Sequence, residues 1–127
     1  DADIDRALDR GIGEMRAGDH AGAVATFSAI ISRRPDFAEG WNKRATVYYL
    51  AGEHLKSLAD CDEVLRRNPR HFGALSGAGM VNLALERWEE AQRWFRRALE
   101  VNPNMVGVEL ELLRLEERLK GRRKHST

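Results

Sequence analysis

The chain has 127 residues, 43% hydrophobic and 32% charged, enough to bury the core of one domain without disulfides. Its 21 basic and 20 acidic residues leave a formal charge of +1, so no broad positive field gathers nucleic acid or anionic lipid. The longest apolar runs fall far short of a membrane span, and the single cysteine, Cys61, forms no internal disulfide and leaves the compartment open. Neither a nucleic-acid partner nor membrane insertion is expected. The chain starts at Asp1 with no signal-peptide pattern, which points to a processed protein or a piece of a longer one.

In chain order the apolar periodicity is helical. Leu8, Ile12 and Met15 form an apolar row on a first helix, which breaks at Ala17-Gly18-Asp19. Over 20–33, Ala23, Val24, Phe27, Ile30 and Ile31 recur at steps of three and four, the stripe that buries one helix face. Phe37, Trp41, Ala45, Tyr48 and Tyr49 do the same over 37–50, up to the break at Ala51-Gly52-Glu53. Further helices are expected over 54–67, 72–85 and 88–100, then a terminal one from about Met105 to Leu119. The last is rich in leucine, more than one packing face requires, so it is expected to cap the fold and to leave a surplus for docking or self-association.

The only prolines, Pro35, Pro69 and Pro103, are 34 residues apart, and aligning the chain on that period brings many positions into register. Gly18 matches Gly52, His20 matches His54 and Trp88, Ala23 matches Ala91, and Phe27 matches Phe95, with Cys61 in the same column. Helix, turn, helix, turn repeats three times.

These residues resemble the tetratricopeptide repeat (TPR) family, whose 34-residue unit is a helical hairpin with a W-x2-L-G-x2-Y, A-x3-F, P pattern. The units are 4–37 (Gly11, Ala23, Phe27, Pro35), 38–71 (Trp41, Tyr48, Pro69) and 72–105 (Gly79, Ala91, Phe95, Ala98, Pro103). Arg10 and Arg44 replace the usual leucine, Glu14 and Asn82 the usual tyrosine, and Ala45 the usual glycine. The resemblance implies an all-α fold, an α-solenoid of three TPR hairpins plus a C-terminal capping helix at about 105–120, together a domain over 1–120. A basic tail, 121–127, is expected to fray.

Several patterns suggest chemistry and lose to packing. His20 and His54 repeat a "GDH/GEH" motif, yet they occupy equivalent places on helices about 8–10 Å apart, whereas zinc needs ligands at about 2 Å. Cys61 lies on an inner stripe and is expected to be a small buried hydrophobe. The pairs Arg33-Arg34 and Arg66-Arg67 close helices, where cations suit the negative end of the dipole. The glycines of "FGALSGAGM" lie within a repeat helix with no strand before them, so no phosphate loop is expected. No serine or cysteine has a recognisable base, and no catalytic, cofactor or metal site is expected.

The resemblance instead implies a protein or peptide partner, held on a concave face lined by the first helix of each hairpin. It places there Asp5, Leu8, Ile12, Met15 and Arg16, then Glu39, Asn42, Lys43, Thr46 and Tyr49, then Gly73, Ser76, Met80 and Leu83. Clamp-type relatives hold a C-terminal carboxylate with lysine, asparagine and arginine. Those positions fall here on Leu8, Ile12, Lys43, Gly73 and Gly77, which leaves one cation, so a carboxylate clamp is not expected. Gly73 and Gly77 should leave the third unit's groove wall low and uncharged. As the first of a stack, the row Leu8, Ile12 and Met15 is expected to need cover from an upstream segment or a ligand. The rival expectations are a self-assembling structural module and an accessory domain of a larger protein.

Overall fold

A computed structural model describes residues 1–125, with side chains described to Arg122. The helices are α1 (Ala2–Arg16), α2 (His20–Arg33), α3 (Ala38–Leu50), α4 (His54–Arg67), α5 (Phe72–Ala84), α6 (Trp88–Val101) and α7 (Val106–His125), and no strand occurs among the described residues. Consecutive helices pack as the hairpins α1–α2, α3–α4 and α5–α6. Contacts of α2 with α3, α4 with α5 and α6 with α7 stack them, while α1 touches α3 and α3 touches α5, so the first helices share one face.

Local chemistry sets the boundaries. The Asp1 carboxylate accepts from the Asp3 and Ile4 amides, Asp19 accepts from Gly22, and the His71 ring accepts from Ala74 at 3.1 Å, each satisfying a donor that the first turn leaves free. Gly18 and Gly52 turn their hairpins at φ +80° and +79°, a left-handed backbone that glycine adopts without a Cβ penalty. The third hairpin makes the same turn with Glu86, at φ 59°.

The core follows the repeat. Gly11 faces Phe27 and Gly79 faces Phe95 so closely that a Cβ on either glycine would lie 2.5 Å from the ring. The middle hairpin pairs Ala45 with Cys61 instead, a larger residue against a smaller one. Three of the departures from the family pattern, Glu14, Asn82 and Arg44, have polar partners: Glu14 accepts from the Thr26 hydroxyl at 2.6 Å, and Asn82, buried, donates to the Ala78 carbonyl. Arg44 makes two bonds to Asp60, 2.7 and 2.8 Å, and donates to Ser28. Between hairpins, the Pro35 carbonyl accepts from both Trp41 Nε1 and Arg67 Nε, and the Arg67 guanidinium lies 4.8 Å over the Trp41 ring. Arg67 therefore ties two units together.

Helix α7 buries Leu112, Leu115 and Leu119 against Ala91 and Phe95, and leaves Val106, Leu110 and Leu113 exposed. It runs to His125, beyond the expected end near Leu119, and so takes in residues 121–125 of the stretch expected to fray. The last two residues of that stretch, 126 and 127, lie outside the described residues.

Candidate functional site

On the face shared by the first helices, α3 and α5 enclose a cavity of about 190 Å³. Asn42, Thr46 and Tyr49 line it from α3, and Gly73, Ser76 and Met80 from α5. These are three of the five groove positions expected on the second unit and three of the four expected on the third. Ala45, Ser57, Cys61, Gly77 and Val81 complete the lining, and no lining residue is charged.

The polar groups of the lining are held in place. Thr46 donates to the Asn42 carbonyl at 3.1 Å and Ser76 to the Phe72 carbonyl at 3.0 Å, so each hydroxyl keeps lone pairs for a ligand amide. Ser57, buried, donates to the Ala45 carbonyl at 2.7 Å and presents little unsatisfied polarity. At the rim the Glu39 carboxylate accepts from Asn42 Nδ2 at 3.3 Å and contacts His71 Nε2 at 2.9 Å. Because His71 Nδ1 accepts from Ala74, the ring proton sits on Nε2 and is donated to Glu39. Gly73 makes this junction compact: a Cβ there would meet His71 Cε1 at 3.0 Å.

The remaining expected groove residues lie outside this cavity's lining. Leu8, Ile12 and Met15 are half-buried against the cluster of Ile4, Phe27 and Val47, where the first hairpin meets α3. Asp5 and Arg16 are exposed, and Lys43 is half-buried outside the cavity lining. Leu83 packs with Trp88 on the α6–α7 cluster and lines a second hollow of about 310 Å³ with Glu111, Arg114, Leu115 and Arg118. There the Arg118 guanidinium stacks 4.3 Å from the Trp88 ring, and Arg114 pairs with Glu111.

Sequence reasoning missed His71, whose position outside every apolar stripe gives no signal. It also missed Cys61 and Ala45 as cavity walls, while Gly77, expected to keep the groove wall low, lines the cavity. A signal existed for the missed walls: Cys61 stands in the column of Phe27 and Phe95, and a small residue in a column of rings leaves space. Burial pushes the Cys61 thiol up to about 12, with help from Asp62 and Asp60, so it is a poor nucleophile at neutral pH. His54 is half-buried, with its ring 5.7 Å from Tyr49, a packing contact. Among the described residues no group of three or more metal-ligating side chains converges.

Helical hairpins stacked at a 34-residue period, with an uncharged cavity on their shared face, define a repeat scaffold built for surface contact. A family model described as Tetratricopeptide repeat matches residues 36–104, more than half of the chain, and the chain belongs to that family. A TPR repeat-containing protein of Rhizobium etli is 35% identical over 122 residues, covering 91% of this chain and 55% of that protein. The chain is also 28% identical over 103 residues to human DnaJ homolog subfamily C member 3, of which it spans 20%. The chain thus spans about half or less of these curated relatives. Among solved structures, the Sgt2 TPR domain from Aspergillus fumigatus superposes with a TM-score of 0.92 at 16% identity, covering 100% of this chain and 85% of that one. The first TPR of Spaghetti (RPAP3), bound to the HSP90 peptide SRMEEVD, gives 0.88 at 22% identity, covering 92% and 93%. At these identities the structural likeness establishes the fold.

Proposed function

We propose that this chain is a non-catalytic scaffold that binds an extended segment of a protein partner along the α3–α5 face, without a carboxylate clamp. The observation that carries the proposal is the cavity's lining: uncharged polar side chains borne on helices, among them Asn42, Thr46, Tyr49 and Ser76, set among small and apolar residues. Such a surface accepts side chains and hydrogen-bonds an extended backbone. The two third-unit positions where a clamp needs cations are Gly73 and Gly77, and both line the cavity. A free carboxylate seated there would be desolvated against glycine and alanine, a cost with no cation to offset it.

The test is a display selection of random peptides against the chain, followed by affinity measurement of the selected peptide with its C-terminus free and amidated. Asn42→Ala combined with Tyr49→Ala should weaken binding about tenfold or more, while amidation changes little. Equal binding by the double variant would remove the groove reading. Strict dependence on the free carboxylate would restore the clamp.

A second reading, self-association, rests on Val106, Leu110 and Leu113, which α7 leaves exposed. Light scattering over a concentration series decides it, since a mass that stays monomeric throughout removes it.

A further inference from the structure

We infer that the cavity on the middle hairpin is an anchor site for one aromatic side chain of the partner, which supplies the ring that this hairpin lacks. The inference deepens the groove reading proposed above and rests on it.

The chain itself provides the template. In the first hairpin the ring of Phe27 fills the space over Gly11, and in the third the ring of Phe95 fills the space over Gly79. Both phenylalanines are fully buried, with 0% exposure, so in two of three hairpins this position is a completed core. In the middle hairpin the same two positions are Ala45 and Cys61, and a cavity of about 190 Å³ lies against both. A thiol fills far less volume than a phenyl ring, and the added methyl of Ala45 recovers only a small part of the difference. Closely packed interiors do not leave such space without cost, because the lining atoms lose dispersion partners.

Thr46, one of the lining residues, is exposed, so the cavity opens on the face shared by α3 and α5. The wall facing Cys61 is Gly77, whose added Cβ would meet nothing closer than the Cys61 sulfur at 3.6 Å. That distance is ordinary van der Waals contact, so a longer side chain at residue 77 would narrow the cavity from α5. Size and polarity select the guest. An apolar protein cavity of about 150 Å³ accepts benzene, so this one takes a phenyl ring. The uncharged lining excludes a carboxylate or ammonium on desolvation grounds. Burying the ring supplies apolar area at the centre of the interface, while the polar rim pairs with the flanking backbone.

The probe is N-acetyl-phenylalanine amide, titrated into the whole chain and followed by amide chemical shifts, with N-acetyl-alanine amide as control. Saturable shifts are expected at Ala45, Cys61, Gly77 and Met80 with the phenylalanine probe alone. Cys61→Phe combined with Ala45→Gly rebuilds the pair found in the other two hairpins, fills the cavity from within, and should abolish those shifts while raising thermal stability. Gly77→Leu fills it from the opposite wall and should do the same, so the test does not depend on one variant folding. Shifts that persist in both folded variants, or no saturable shift in the wild type, overturn the aromatic anchor. Failure of this inference is separable from failure of the groove reading. If the filled variants keep full affinity for a displayed peptide that the Asn42/Tyr49 double variant loses, the groove stands and the anchor falls.

Discussion

The Arg44–Asp60 pair offers the sharpest test of how this fold is held together. Its side chains are 19% and 5% exposed, and the two-point contact at 2.7 and 2.8 Å joins α3 to α4 inside the middle hairpin. Arg44 also donates to Ser28 on α2 and lies between the Trp41 and Tyr48 rings, 5.3 and 5.6 Å from their centroids. Hydrogen bonding to Asp60 raises the Arg44 pKa beyond its ordinary value, against the opposing effect of burial. Removing one partner leaves the other charge desolvated and unpaired, which costs about 3–5 kcal/mol. Against a typical stability of about 5–15 kcal/mol, that is a large fraction. Asp60→Leu and Arg44→Leu should each show this loss in urea unfolding followed by far-UV circular dichroism. The family's usual residue at position 44 is leucine, so the double variant presents apolar groups to each other and should recover about 3 kcal/mol or more relative to the sum of the singles. Single losses under about 1 kcal/mol that simply add would refute the reasoning, because the pair would then behave as a solvent-exposed one.

Glu86 holds a left-handed φ of 59° where the other hairpins use glycine. Glu86→Gly should relieve about 1–2 kcal/mol of backbone strain and lose part of it to unfolded-chain entropy, so a net rise of about 0.5–1 kcal/mol in denaturation is expected and a fall would contradict it. Two glycines two positions apart should respond with opposite signs. Gly79→Ala puts a Cβ 2.5 Å from the Phe95 ring and should destabilise by about 1–2 kcal/mol, whereas Gly77→Ala meets only Cys61 Sγ at 3.6 Å and should gain up to about 1 kcal/mol of helix propensity. Calorimetric melting of both variants checks the contrast, which a shift of the same sign would defeat. The Cys61 pKa is raised by burial from an ordinary 9.0 to about 12 in the folded chain. The native state therefore keeps its proton while the unfolded thiol loses it, so this contribution to stability is complete below about pH 9 and is lost as pH rises toward 12. Cys61→Ala should show a shallower alkaline decline than wild type, and identical alkaline slopes would remove the assignment.

Much of the fold is legible from local chemistry. Three prolines at a 34-residue interval, helical apolar stripes and turn glycines define the hairpins, because helix periodicity and backbone constraint are written in near neighbours. The positions on α3 and α5 expected to line a groove came from the family resemblance, and the structure brings Asn42, Thr46, Tyr49, Ser76 and Met80 around one cavity. The resemblance did not separate these from Leu8, Ile12 and Met15, which are half-buried against the cluster that holds Phe27. An apolar row looks the same in sequence whether it faces a ligand or its own core.

The sequence alone determined that the chain is a repeat of helical hairpins, because each unit carries its own stripe, turn and proline. Only the tertiary structure decided what the exceptions to that repeat do. Arg44 is paired because Asp60 lies across the hairpin from it, and Cys61 opens a cavity because Ala45 and Gly77 do not fill the space a ring would take. Charge pairing and missing volume are properties of residues distant in the chain and adjacent in space, so packing, rather than periodicity, determines them.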